Sequence, residues 1–152
     1  MEIGIFIAAG AVFFLVLTVF FVRRLEKVRS AEVLSKFEGQ ELLGCTSNAN
    51  FFGIESAGLG QVRGNGVLLL TKEELYFEMW IPRKEIRIPV QSIVEVKSVR
   101  SHLMKSKGIP LLKVVFTNPK GLRDSCAWAV ANLEIWLVAL QKLSDLTSSD
   151  SQ

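Results

Sequence analysis

The sequence predicts a mainly β fold: an N-terminal transmembrane α-helix, then a seven-stranded antiparallel barrel or sandwich capped by a C-terminal α-helix. Three observations support this. Residues 3–22 carry no charged side chain, residues 42–131 alternate apolar and polar side chains between closely spaced turn signals, and residues 132–146 return to a helical period. The expected divisions are a transmembrane helix at 3–22, a basic helical stalk at 23–39, a folded domain at 40–146 and a disordered tail at 147–152.

The N-terminal apolar run has the length of a membrane span. At about 1.5 Å per residue, residues 3–22 match a hydrocarbon core of about 30 Å. Four cations follow the run, whereas Glu2 is the only charged side chain before it, so the cation bias places the N-terminus outside and the C-terminal domain in the cytoplasm. A cleaved signal peptide fits less well, because it would carry its cations before a shorter apolar core.

The ends of this run suggest two further roles. Gly4, Ala8 and Ala11 lie on one helix face, a small-residue spacing that allows two copies to associate as a homodimer through the helix. The juxtamembrane cations either attract anionic headgroups or only set the topology. These cations are Arg23, Arg24, Lys27 and Arg29.

The middle of the chain predicts antiparallel hairpins. Turn signals such as Asn65-Gly66, Ile81-Pro82 and Lys107-Gly108 arrive at short intervals. The seven predicted strands lie at 42–52, 67–71, 75–81, 85–90, 93–99, 111–117 and 125–131. In the third, alternate side chains project to one core face, and the others, including Trp80, lie on the opposite face.

The C-terminal segment predicts a helix that packs on these strands. Asn132 is a suitable N-cap, and Glu134 in the first turn favours the positive end of the helix dipole. Apolar side chains then recur on one face. They are Leu133, Trp136, Leu137, Leu140 and Leu143.

Composition and charge exclude several classes of function. The 152-residue chain carries a net charge of +3, too mild for a nucleic-acid binder. With two distant cysteines and one histidine, the sequence indicates no metal site and no cofactor, and with no nucleophile beside a base it indicates no enzyme. Residues 83–107 are unusual, since seven cations face only two acids there, for a net charge of +5.

The order of the apolar segments resembles the GRAM branch of the pleckstrin-homology superfold over residues 38–146. Residues 41–44, ELLG, open the domain; 64–71, GNGVLLLT, and 75–77, LYF, resemble its second and third strands. Residues 88–96, IPVQSIVEV, are similar to the family segment I-P-L-x-x-I-x-x-V, residues 112–116 are similar to the sixth strand, and Trp136 lies where such helices often carry a tryptophan.

The resemblance implies a binding module whose ligands are lipid headgroups or proteins. Its phosphoinositide binders carry a cation cluster around the first two strands, where residues 50–66 hold only Arg63. Two functions remain open: a membrane-anchored module that engages the anionic membrane surface, and a membrane-tethered scaffold for a protein partner.

Two segments supply the candidate binding residues. In the hairpin at 77–87, Trp80 and Ile81 precede Arg83 and Lys84 at a predicted tip, an aromatic wedge backed by cations that suits a membrane interface. Alternatively, Trp80 covers the barrel and the cations are solvated. The long turn at 97–108 adds His102, a candidate pH sensor, and several cations that attract phosphates or acidic partners. The site cations of this turn are Arg100, Lys105 and Lys107.

Overall fold

The computed structural model describes the backbone of residues 2–149 and the side chains of residues 10–145. Two helices flank a seven-stranded sheet. The helices are α1 (Glu2–Lys36) and α2 (Leu133–Ser149). The strands are β1 (Gly44–Ile54), β2 (Gly64–Leu70), β3 (Glu74–Met79), β4 (Lys84–Pro89), β5 (Ile93–Val99), β6 (Leu111–Thr117) and β7 (Arg123–Ala129).

All seven strands form one antiparallel sheet in the order β4-β3-β2-β1-β7-β6-β5. The long strand β1 joins the two halves, because it pairs with β2 from Gly44 to Phe51 and with β7 from Asn50 to Ile54. Its register shifts once in each pairing, and such irregularities bend a strand. The bend lets one strand serve both halves.

The main core lies on the inner face of the sheet, under α2. Phe51, Phe77 and Trp128 form an aromatic centre with ring centroids 5.3–5.9 Å apart. From α2, Trp136 and Leu140 are buried against it, as the apolar stripe predicts. Gln141 Nε2 also donates to the carbonyl of Val96, and Ser144 Oγ to that of Ile93, so α2 occupies carbonyls of the edge strand β5.

The end of α1 packs on the outer face of the sheet. Val33 and Phe37 are buried against Val67, Leu69 and Tyr76, which point away from the main core. Strand β2 is therefore buried on both faces. The stalk predicted at 23–39 is the helical continuation of α1 as far as Lys36, and its last turn belongs to the folded domain.

A buried carboxylate fixes this contact. The side chain of Glu78 is 3 % exposed; it receives Lys36 Nζ at 2.5 Å, the Tyr76 hydroxyl at 2.6 Å and Arg83 Nε at 2.9 Å. Arg83 also bonds Glu32 of α1 at 2.6 Å. Burial acts to raise the pKa of Glu78, but these donors outweigh burial and hold it below its usual value.

The predicted transmembrane helix at 3–22 is corrected by the structure. Within the part of the chain whose side chains are described, no helix is long and apolar enough to cross a membrane. The single-pass topology and the localisation inferred from the span are withdrawn with it. Gly4 and Ala8 of the predicted dimer face lie outside the residues whose side chains are described, and residues 150–152 of the tail predicted at 147–152 lie outside the described residues; residues 147–149 are the end of α2.

Candidate functional site

Gln61 organises the loop between β1 and β2. Its side-chain Oε1 accepts the Ile54 N–H at 2.9 Å, and its Nε2 donates to the carbonyls of Ile54 at 2.6 Å and Gly58 at 2.7 Å. The side-chain amide thus forms hydrogen bonds to the backbone like those that a neighbouring strand would form, and these bonds close the loop. It also presents two oxygens to cations from other segments.

Two predicted site residues meet at Gln61. Lys84, at the start of β4, donates from Nζ to Gln61 Oε1 at 3.4 Å, and Lys105, from the β5–β6 loop, donates from Nζ to the Gln61 carbonyl at 2.7 Å. The Lys84 ammonium also lies 5.2 Å from the centroid of Phe51. The two cation-bearing segments identified in the sequence therefore converge on the β1–β2 loop.

Arg63 joins the same group. Its guanidinium lies 4.0 Å from the ring centroid of Phe52, bonds Asn50 Oδ1 at 3.1 Å and reaches the Ser106 carbonyl at 3.5 Å. The sequence showed Arg63 as the one cation of residues 50–66 but gave no reason to place it beside the other loop.

Arg100 and Lys107 complete the group from the β5–β6 loop. Both are exposed, and Arg100 borders a cavity of about 200 Å³ with Ser106 and Ile109. We call Arg63, Lys84, Arg100, Lys105 and Lys107 the basic loop surface. Among the described residues, none of these five cations has a carboxylate oxygen within 4.0 Å. Their positive charges are therefore available to attract an anion from outside the chain.

The other predicted hairpin residues point elsewhere. Arg83 turns to Glu32 and Glu78, so it holds α1 and does not join the basic loop surface. Trp80 is only 8 % exposed and is not an aromatic wedge at the tip. Ile81 is 64 % exposed and does lie at the tip. Of the juxtamembrane cations, Arg29 pairs with Glu32 at 3.0 Å, while Arg23, Arg24 and Lys27 are exposed.

Exposed apolar side chains accompany the cations on the same three connections. Ile81 was predicted from the sequence; the other exposed apolar residues were not, although each of them interrupts a polar loop. They are Leu59 and Val62 in the β1–β2 loop, and Met104 and Ile109 in the β5–β6 loop, with exposures from 45 % to 90 %. Cations interleaved with exposed apolar side chains are typical of surfaces that meet a charged, partly apolar interface.

The β5–β6 loop is anchored beneath this surface by His102. The ring Nε2 lies 3.1 Å from the Gly53 carbonyl, and the backbone groups of His102 and Lys105 bond each other in both directions at 2.9 Å. His102 is 4 % exposed, and burial lowers the pKa of the imidazole, helped by the charge of Lys113. His102 is therefore neutral at pH 7 and fixes the loop.

Two nearby carboxylates are already engaged. Glu55 accepts a hydrogen bond from the Ser125 hydroxyl, which holds the pKa of Glu55 below its usual value. Asp124 accepts the Ser56 hydroxyl at 2.5 Å and the Ser56 N–H at 3.0 Å. Burial acts to raise the pKa of Asp124, but these bonds outweigh it and keep the carboxyl ionised.

Comparisons with known proteins support the fold alone. No protein-family model and no curated protein matches the chain. Among solved structures, a chain of the 8S snRNP assembly intermediate is similar with a TM-score of 0.54 at 12 % identity, covering 69 % of this chain and 83 % of that one. The C-terminal domain of an unknown protein from Leishmania infantum is similar with a TM-score of 0.52 at 15 % identity, covering 74 % and 92 %.

Proposed function

We propose that the chain is a GRAM-like or pleckstrin-homology-like binding module that attaches to anionic membrane surfaces through the basic loop surface. One observation carries this proposal: Lys84 and Lys105 meet at Gln61, and Arg63 reaches the β5–β6 loop that also carries the exposed Arg100 and Lys107. Among the described residues, none of these five cations has a carboxylate oxygen within 4.0 Å. The order of apolar segments that resembles the GRAM family supports it, and so does the sheet closed by a C-terminal helix. The contact is peripheral and needs no membrane-spanning segment.

The energetics suit a lipid surface. Each cation close to an anionic leaflet contributes about 1 kcal/mol, and the contribution decays within a Debye length of about 10 Å at 0.1 M salt. The exposed apolar side chains of the same loops, such as Ile81 and Met104, add burial into the headgroup region. The binding free energy therefore has an electrostatic contribution that salt weakens and an apolar contribution that salt does not weaken.

Co-sedimentation of the full chain with vesicles tests this function. We expect the apparent Kd for vesicles of phosphatidylcholine with phosphatidylserine to be at least tenfold lower than for phosphatidylcholine alone at 0.1 M salt. The difference should shrink at 1 M salt, where the Debye length is about 3 Å. Equal affinity for the two vesicle types at low salt contradicts the proposal, whatever the contribution of the exposed apolar part of α1.

The two mechanisms can be separated on the same vesicles. The double variant Ile81→Ser, Met104→Ser should weaken binding by a similar factor at low and high salt, because it removes apolar burial. The matched variant Leu122→Ser removes an exposed apolar residue of the β6–β7 turn and should leave binding unchanged. A salt-dependent effect of the double variant would assign these residues to loop positioning instead.

A protein-interaction module is the second candidate, favoured by an apolar groove between α2 and the start of β1. Leu43, Cys45 and Ile135 border a cavity of about 200 Å³ there. Ile135 and Val138 on α2 are 65 % and 63 % exposed. Partners recovered by the wild-type chain and lost by the variant Ile135→Asp, Val138→Asp would support it. Partners retained by that variant would argue against this groove.

A further inference from the structure

A second basic cavity lies away from the basic loop surface, between α1 and the start of β1. Its volume is about 660 Å³, within the roughly 300–1,000 Å³ of small-molecule sites. The lining residues come from one face of α1 and from one position of β1. They are Phe20, Arg23, Arg24, Glu26, Lys27, Ser30 and Ser47.

This cavity forms beside an irregular stretch of β1. The register of β1 against β2 shifts between Thr46 and Ala49, and Ser47 lies in this irregular stretch. Ser47 donates its hydroxyl to Glu26 Oε1 at 3.3 Å, which ties β1 to α1 at this point. The cavity therefore lies where the helix leaves the sheet.

Ser30 is the unusual member of the lining. Its Oγ is buried and has no hydrogen-bond partner. Buried hydroxyls are nearly always paired, so an unpaired one at a cavity wall calls for a bound acceptor. Because Ser30 Oγ has almost no accessible surface as placed, a ligand oxygen in the cavity would accept from this hydroxyl after the Ser30 side chain rotates toward the cavity.

The charge of the cavity selects an anion. Arg23, Arg24 and Lys27 are exposed and have no carboxylate within 4.0 Å among the described residues, while Glu26 contributes one opposing charge. Phe20 forms an apolar wall at the other side. Guanidinium and ammonium donors beside a hydroxyl match the oxygens of a phosphate group.

We propose that this cavity binds a phosphate monoester, with Arg23, Arg24 and Lys27 around the phosphate, the Ser30 hydroxyl donating to one of its oxygens, and Phe20 against an apolar substituent. The phosphate belongs either to a soluble molecule or to a lipid headgroup. The inference does not rest on the proposed function, because it uses none of the residues of the basic loop surface.

Titration of the full chain followed by amide chemical shifts tests the site and its source. Inorganic phosphate and soluble dihexanoyl phosphatidic acid are the two probes, with dihexanoyl phosphatidylcholine as the reference. We expect saturable shifts at Ser30 and Ser47. Binding of both probes with a similar Kd indicates a soluble phosphate, and binding at least tenfold tighter for phosphatidic acid indicates the headgroup. Shifts absent from these two residues with both probes overturn the proposal.

Variants assign the contacts. Arg23→Gln with Lys27→Gln should weaken the phosphatidic acid Kd at least tenfold, and Ser30→Ala should weaken it about threefold to tenfold, as loss of one hydrogen bond implies. Glu26→Gln should tighten binding, because it removes the opposing charge; a purely structural role of Glu26 would not produce this. An unchanged Kd in Ser30→Ala or in the double variant contradicts the site.

Controls separate this cavity from the basic loop surface. Lys72→Gln with Lys142→Gln carries the same charge change as the double variant and should leave the Kd unchanged. The variant Arg100→Gln, Lys105→Gln, Lys107→Gln should also bind the probes normally at Ser30 and Ser47. If that variant alone abolishes probe binding, the phosphate is held by the basic loop surface and the cavity proposal fails while the proposed function stands.

Discussion

Lys84 and Lys105 both donate to Gln61, Lys84 to its side-chain Oε1 at 3.4 Å and Lys105 to its backbone carbonyl at 2.7 Å. The two lysines are distant in sequence, yet one glutamine brings their ammonium groups to the same loop. Two of the five charges of the basic loop surface are therefore held by a neutral residue before any ligand arrives.

Gln61→Ala should disorganise this surface without changing its charge. The variant loses the two bonds to Ile54 and the bond to Gly58, which we expect to lower the free energy of unfolding by about 1–2 kcal/mol. The affinity for anionic vesicles should fall about threefold or more. Urea unfolding and vesicle co-sedimentation measure the two effects, and the exposed Gln91→Ala is the control. Full vesicle affinity in Gln61→Ala would show that the cations need no positioning.

Glu78→Gln should weaken the attachment of α1 to the sheet. The amide cannot compensate the charges of Lys36 and Arg83, although both cations are partly exposed and can be rehydrated. We expect a loss of about 2 kcal/mol in the free energy of unfolding by urea. Glu85→Gln, which alters a carboxylate that is 43 % exposed, should cost less than about 1 kcal/mol. Equal losses in the two variants would contradict the special role of Glu78.

His102 should make stability depend on pH in a defined window. Its folded-state pKa lies below the ordinary value of 6.5 because the ring is buried, so the unfolded chain binds this proton more readily. The stability due to neutral His102 is complete above about pH 6.5 and is lost as the pH falls toward the folded-state pKa. His102→Gln should flatten the slope of the unfolding free energy against pH below about pH 6.5. An unchanged slope would assign the pH dependence to other groups.

Gly53→Ala should displace the β5–β6 loop. Gly53 has a φ of +124°, and a Cβ there would lie 2.7 Å from Leu103 Cδ1. We expect a loss of about 1–3 kcal/mol in stability and faster hydrogen exchange of the Lys105 amide, which bonds the His102 carbonyl. Gly60→Ala, where a Cβ meets nothing within 4 Å, is the matched control. Unchanged exchange of the Lys105 amide in Gly53→Ala would show that the loop is held by other contacts.

The strands could be located from the sequence because turn residues and side-chain alternation are local signals. Seven strands are present at nearly the predicted positions, and Trp136 and Leu140 are buried as the helical period indicates. Asn132 behaved differently: its φ of 54° is left-handed, a conformation that asparagine tolerates, and its backbone carbonyl accepts the Ile135 N–H. The preference of asparagine for helix ends identified where α2 begins, but it did not predict the left-handed backbone of Asn132.

The site was predictable only in part, because long-range contacts decide it. Alternation placed Trp80 opposite the core face, and the packing of α1 on that side of the sheet gives Glu78 and Arg83 partners that no local pattern shows. The clustering of Lys84 with Lys105 depends on the fold of the β1–β2 loop, whose organiser Gln61 has no distinguishing sequence context. The charge density along the chain indicated the cation-rich region, but it could not show which of the cations lie together.

The most direct measurement compares two charge variants on the same vesicles. Arg100→Gln, Lys105→Gln, Lys107→Gln removes three cations of the basic loop surface, and Lys72→Gln, Lys120→Gln, Lys142→Gln removes three exposed cations outside it, so the net charges are equal. On vesicles containing phosphatidylserine at 0.1 M salt, the first variant should bind at least tenfold more weakly than wild type, and the second should bind within about twofold of wild type. Equal weakening by the two variants would mean that net charge alone governs attachment, and undiminished binding by the first would contradict the basic loop surface as the membrane contact.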